Sequence, residues 1–306
     1  MAIQKEIWTQ YIQESLFKDN DFLNYAFNAN QYVLEGKVVH IPNAGSTPSV
    51  VKNRTTLPAT VTQRTDIDVT YSIDEFTSDP VLIPNADTVE LSYDKMSSVL
   101  SETTGAIKTL VAEWMLYNWR AENASSIVRT TGGSGALSVP AHMPGATGTR
   151  KKLSLADIKA ARLVLNKQNV PKEDRYMLLD SDMYDQLMDE LNITTYREAS
   201  MYMDLPKGVI GKIYGFNMME RSYVLTSNNA GTPVIQLPGT ASTAADNGVV
   251  LAWHLNTVER ALGTIDFFEH LNDPTFYGDI YSALVRMGGR KRRTDQKGIV
   301  AIIQQP

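Results

Sequence analysis

The 306-residue chain carries no cysteine, a net charge of -5 at neutral pH and 43% apolar residues. That is enough apolar material for one large domain or two ordinary ones, and it excludes disulfides, thiolate nucleophiles and cysteine-ligated metals. It also argues against a protein that coats nucleic acid tightly, which needs an excess of lysine and arginine, and no run of 18 apolar residues reads as a membrane span.

Met1 to Glu6 lack the apolar stretch and cleavage site of a secretory signal, so a soluble, cytoplasmic origin is the default expectation. Ile7, Trp8, Tyr11, Ile12, Leu16 and Phe17 predict a short amphipathic helix, and Phe22, Leu23, Tyr25, Ala26 and Phe27 form a second apolar patch. So many large side chains near one end mark an arm that packs on its own body or on a neighbour.

Tyr32 to Ile41 reads as extended, and Ile67, Val69, Tyr71 and Ile73 alternate cleanly with Asp68, Thr70, Ser72 and Asp74. The two runs predict the legs of a hairpin. Between them the chain is polar, punctuated by Pro42, Gly45, Pro48 and Pro58, with Lys52, Arg54 and Arg64 as its cations. Loops of this length are usually functional, and a two-stranded hairpin is marginal by itself, so this one calls for a partner chain to lie on.

After Pro80 and Pro84 comes the longest predicted element, a helix from Asp87 to Ala121. Val89, Met96, Val99, Leu100, Ile107, Leu110, Val111, Trp114 and Tyr117 recur there at spacings of three and four. At about 1.5 Å per residue it would run roughly 45 to 50 Å, with Gly105 a soft spot costing about 1 kcal/mol relative to alanine. A compact enzyme seldom needs such a rod; a flat, elongated building block does.

Thr130 to Thr149 is rich in glycine and reads as a mobile surface loop, without the lysine and the strand-to-helix context of a phosphate-binding loop. Ser154 caps a helix through Leu165, Arg175 to Asp180 is a buried strand, and Ser181 or Asp182 opens another helix, a succession that predicts a mixed α+β subdomain. Strands follow within Gly208 to Val224 and at Gly248 to Leu255, separated by an exposed loop from Asn228 to Asn247. Phe276 to Met287 alternates as a strand that Gly288 and Gly289 break, and Ile299 to Ile303 is the last. These two read as a C-terminal pair lying along the long helix.

The densest basic cluster is Arg290, Lys291, Arg292 and Arg293. It reads first as a solvated loop and second as a contact for an acidic patch on a neighbouring subunit. His40, His142, His254 and His270 show no metal-ligand spacing, Asp180, Asp182 and Asp185 read as helix caps rather than calcium ligands, and no nucleophile elbow is present. No catalytic, cofactor or metal residue is assigned. A cryptic hydrolase site built on His254 and Asp266 is the alternative from another functional class.

The order of these parts resembles the major capsid proteins of tailed bacteriophages, those with the Hong Kong 97 fold. The stretches MAIQKEIW (Met1 to Trp8), VHIPNAG (Val39 to Gly45), DEFTSDPVLIP (Asp74 to Pro84) and TVELSY (Thr88 to Tyr93) are similar to such proteins from phages of Bacteroidetes. The resemblance implies an α+β Hong Kong 97 capsid fold. Residues 1–31 would be an N-terminal arm, 32–75 an extended hairpin loop, and 76–124 a peripheral domain with the spine helix. Residues 125–255 would be an axial domain and 256–306 the C-terminal strands of the peripheral domain.

It further implies a structural subunit that self-assembles into hexamers and pentamers of an icosahedral head around double-stranded DNA, contacted non-specifically. Portal protein and any separate scaffolding or decoration proteins would be its partners, assembly would occur in the host cytoplasm, and neither cofactor nor membrane is involved. Trp8, Tyr11, Phe17, Lys52, Arg54, Arg64, Arg290 and Arg292 are the expected inter-subunit contacts. A nanocompartment shell of encapsulin type is the nearer alternative.

Overall fold

The computed structural model of the chain describes residues 12, 20–34, 38–43, 50–55, 57–58, 61, 67–84, 95–191, 211–228, 233–293 and 295–306. Two large sheets and one long helix organise them. The first sheet has eight strands centred on Asp246–His254, which is buried along its whole length. On one edge it pairs antiparallel with Arg175–Asp180 and then with Leu225–Asn228; on the other it pairs with Ile299–Ile303. Phe216–Arg221 lies parallel to Arg175–Asp180, and Ile127–Arg129 lies parallel to Ile299–Ile303.

Alternation along these strands sends neighbouring residues to opposite faces. Met177, Leu179, Val250, Ala252, Val300 and Ile302 meet the helices Leu155–Lys167 and Ser181–Glu190. Tyr176, Leu178, Leu251, Trp253, Ile299 and Ala301 meet the long helix and the second sheet. A sheet covered on both faces needs apolar residues at every position, so these strands read as continuous apolar runs.

The second sheet has five strands. Its body is an antiparallel pair, Val258–Asp273 with Gly278–Lys291, carrying bulges after Leu262 and His270. Asp74–Thr77 and Val81–Pro84 line its far edge, and Phe27–Asn28 pairs parallel with Glu259 and Arg260. The expected C-terminal pair is therefore corrected: Gly278–Lys291 pairs with a strand that the sequence pattern did not disclose, and Ile299–Ile303 belongs to the other sheet. Gly288 and Gly289 do not break the strand either. They lie within it because a side chain at Gly289 would collide with Met115 of the long helix, and one at Gly288 would sit 3.2 Å from Ile73 Cα.

That helix is described from Lys95 to Asn118; the rest of its expected N-terminal part, up to residue 94, lies outside the described residues. Thr104, Ile107, Val111, Ala112, Met115, Leu116 and Trp119 are buried, while Leu110 is exposed. At about 100° per residue the buried positions cover roughly half the circumference, centred to one side of the predicted stripe. The helix touches both sheets, so its buried arc is wider than a single stripe.

The first segment takes one of the two courses open to it in the sequence. Asp21–Tyr25 is a short 3-10 helix whose Phe22 and Leu23 are buried in the chain's own core with Ala26. Of the two options for the arm, its described part packs on its own body; Trp8, Tyr11 and Phe17 lie outside the described residues. The hairpin is present as drawn from the sequence, with Val38–Asn43 antiparallel to Ile67–Ser72.

Two glycine substitutions separate conformational preference from packing. A Cβ at Gly105 meets nothing within 4 Å, so Gly105→Ala is expected to raise unfolding stability by up to about 1 kcal/mol. Gly289→Ala is expected to lower it by about 1–3 kcal/mol through overpacking against Met115. Denaturant unfolding of the two variants beside the parent chain measures both.

Candidate assembly surface

The hairpin register runs from Val38 opposite Ser72 to Asn43 opposite Ile67, so the long loop leaves the sheet at Asn43 and returns at Ile67. Its described residues make little contact with the rest of the chain. Val50 is 93% exposed, Val61 95% and Leu57 78%, and Val51, Lys52 and Arg54 are exposed beside them. Four large apolar side chains in one projecting loop form a surface that water solvates poorly. Arg64 lies outside the described residues.

The hairpin is anchored at its base by a buried charge. Glu259 is fully buried; its Oε1 accepts from Arg290 Nε at 2.7 Å, and Arg292 Nε forms an ion pair with Oε2 at 3.4 Å. Each guanidinium also covers a ring, Arg290 over Tyr71 at 4.9 Å and Arg292 over Phe27 at 3.8 Å. Burial, and then the Glu259 charge, push the Tyr71 phenol far above its ordinary range. Tyr71 belongs to the hairpin and Phe27 to the first segment, so one carboxylate holds three distant parts of the chain together.

The reading of the basic cluster as a solvated loop is corrected by this arrangement. Arg290 and Lys291 end a strand, and each cation has an acid within its own chain: Glu259 for Arg290 and Arg292, Glu122 for Lys291 at 2.6 Å, Asp295 for Arg293 at 2.7 Å. Glu259 carries no signal in the sequence, because it lies in a stretch with mixed charges and no clean alternation.

In the central unit, the expected mobile loop Thr130 to Thr149 is also corrected. Ser138–Pro140 pairs with Thr149–Lys151, and buried Arg150 donates to the carbonyls of Thr147, Thr149, Ala244 and Asp246 at 3.0 to 3.1 Å. His142 Nε2 lies 2.9 Å from Asp180 Oδ2, while Asp180 Oδ1 accepts from Met183 N at 2.7 Å and caps the following helix. Gly248 leaves the room for that pair, since a Cβ there would be 2.8 Å from His142 Nε2. Burial alone would lower the His142 pKa; the hydrogen bond and charge of Asp180, with Asp182 behind it, override this and raise it above 6.5.

The pair of residues named for a hydrolase is not assembled. His254 Nδ1 accepts from Asn256 N at 3.2 Å and its pKa is lowered by burial, whereas Asp266 faces Arg286 at 3.8 Å in the other sheet. Among the described residues no three histidine or carboxylate side chains form a group that could hold a metal. No described helix is long and apolar enough to cross a membrane.

Removing Glu259 strands two arginines, so Glu259→Gln is expected to cost about 3 kcal/mol or more in denaturant unfolding. For His142 the sign follows from its raised pKa: the pair's stabilisation is complete below pH 6.5 and is lost as pH rises through the folded value. His142→Gln is therefore expected to lower stability by about 1.5–3 kcal/mol in mild acid. Calorimetric melting from acid to alkaline pH should find the gap between parent and variant narrowing upward.

The family model described as phage capsid protein matches residues 33–267. No curated protein sequence matches the chain. Among solved structures, the capsid of Ralstonia phage GP4 is similar at a TM-score of 0.63 and 12% identity, over 91% of this chain and 86% of that one. The head of Helicobacter pylori bacteriophage KHP40 is similar at 0.59 and 13%, over 91% and 89%. A virus-like particle from Pyrococcus furiosus is similar at 0.55 and 8%, over 98% and 99%.

Proposed function

This chain belongs to the phage capsid protein family, and from that premise we propose that it builds its shell as hexamers and pentamers of an icosahedral head around double-stranded DNA. It is a major capsid protein, a structural subunit of a virion shell. The observation that carries the assembly reading is the projecting loop, whose apolar side chains a single chain leaves in water. Symmetric copies lying over one another would cover such loops without leaving open edges.

The proposed division of labour follows the two sheets. Residues 1–31 act as the arm and 32–75 as the extended loop. Residues 76–124 with the long strand pair Val258–Asp273 and Gly278–Lys291 form the peripheral part, and residues 125–255 the axial part, to which Ile299–Ile303 is joined by strand pairing. Lys52 and Arg54, with Arg64 and the arm residues Trp8, Tyr11 and Phe17, are the proposed contacts between subunits. Arg290 and Arg292 contribute only through the part of each side chain not engaged with Glu259. A portal and any scaffolding or decoration proteins complete the particle.

The test replaces residues 44–66 by an Asn-Gly turn, which closes Asn43 onto Ile67 in the same register. The variant is expected to melt like the parent yet to sediment without shells, while the parent gives closed particles by electron microscopy. Normal shells from the variant would refute the role of the loop, and a parent that stays monomeric at high concentration would refute assembly. The virus-like particle from Pyrococcus furiosus keeps a nanocompartment in view, and protein cargo in place of DNA inside native particles would select it.

A further inference from the structure

A cavity of about 370 Å³ opens on the central unit where three elements meet. The helix Leu155–Lys167 supplies Arg162 and Asn166, four residues apart and so on one face. The connection and first residue of the strand Arg175–Asp180 supply Lys172 and Arg175. Tyr214 and Gly215 close the side as a two-residue hairpin turn with φ of 48° and 88°. Both angles are positive, as such a turn needs. The Arg162 guanidinium lies 5.4 Å from the centre of the Tyr214 ring.

The charges lining this cavity are all of one sign. Arg175 is buried, and it donates Nε to the Pro171 carbonyl and Nη2 to the Val170 carbonyl, both at 2.7 Å. Those neutral acceptors fix the guanidinium without balancing its charge. Among the described residues no carboxylate pairs with Arg162, Lys172 or Arg175. Burial first, and then the charge of Arg162, pull the Arg175 pKa below its ordinary value. Arg290, Lys291 and Arg286 each sit against an acid, whereas buried Arg150, like Arg175, is held by carbonyls alone. Another cavity among the described residues sets Glu113 in its wall with Arg221. Asn166 also lines the cavity.

We propose that this cavity binds a phosphate-class oxyanion, with Arg162 and Lys172 supplying charge at its wall and Arg175 a fixed guanidinium. Guanidinium forks match tetrahedral oxyanions, and the volume falls within the range of small-ligand pockets, so an esterified phosphate fits as well as a free one. Two sources carry that chemistry, the backbone of a nucleic acid and free phosphate in solution. The site is complete within one chain and does not depend on shell assembly.

The test uses the full chain and isothermal titration with inorganic phosphate, and separately with a short DNA duplex across a series of salt concentrations. The variant is Arg162→Gln with Lys172→Gln, which spares the buried Arg175. Lys159→Gln with Lys167→Gln, on the same helix but outside the cavity, is the control of equal charge. Unchanged melting of both variants establishes that they fold. Saturable phosphate binding that weakens about tenfold or more in the first variant alone supports the proposal with free phosphate as source. Duplex binding whose salt slope falls by about one to two in the first variant alone supports it with the nucleic-acid backbone as source. No saturable binding of either probe, or equal losses in both variants, overturns it.

Discussion

The fold depends on one aromatic node, in which Trp119 and Trp253 lie 5.7 Å apart in the interior. Trp119 directly follows the long helix, meets Phe22 edge-on at 6.0 Å and donates its indole N–H to the Glu259 carbonyl at 3.0 Å. Trp253 lies in the central strand of the eight-stranded sheet and donates to the Tyr25 carbonyl at 2.8 Å. Tyr25 in turn stacks on Tyr176 at 4.3 Å. Four parts of the chain, more than 200 residues apart at the extremes, are tied by rings that bury large areas and still satisfy their polar ends.

Around that node the burial of Glu259 becomes intelligible. Its backbone carbonyl is taken by Trp119 and its side chain by two arginines, so the strand that carries it is held on both counts. A buried ion pair of this kind is weak evidence for net stability, because desolvation consumes much of the attraction. What it supplies is position. Tyr71 and Phe27 rest against the same arginines, and the hairpin therefore leaves the body at a defined point and direction. A shell subunit must present its projections in one geometry, and a paired charge in a dry interior tolerates few others.

The same economy of roles applies to the basic cluster. Its cations are consumed within the chain, whereas Arg162, Lys172 and Arg175, scattered in sequence and unremarkable there, converge on one cavity. Charge density along a sequence reports poorly on charge density in space, because a strand end and a loop can bring the opposing acids alongside.

From the sequence alone, local rules settled the elements whose partners are near in the chain or whose pattern is self-contained. The alternation of Ile67 to Ile73 gave the hairpin leg, Ser154 marked one helix start, Ser181 or Asp182 marked another next to the Asp180 cap, and the apolar run at Arg175 to Asp180 marked a buried strand. The tertiary structure alone decided what those elements pack against. Val258–Asp273 could not be read because its burial alternates with no fixed period and its charges find partners far away. Gly288 and Gly289 look like breakers in sequence because what requires them is far upstream, Ile73 for Gly288 and Met115 of the long helix for Gly289. The long helix was legible as a helix, yet its buried side was misjudged: two sheets press on it from different directions, and hydrophobic spacing alone cannot count how many surfaces a helix will meet.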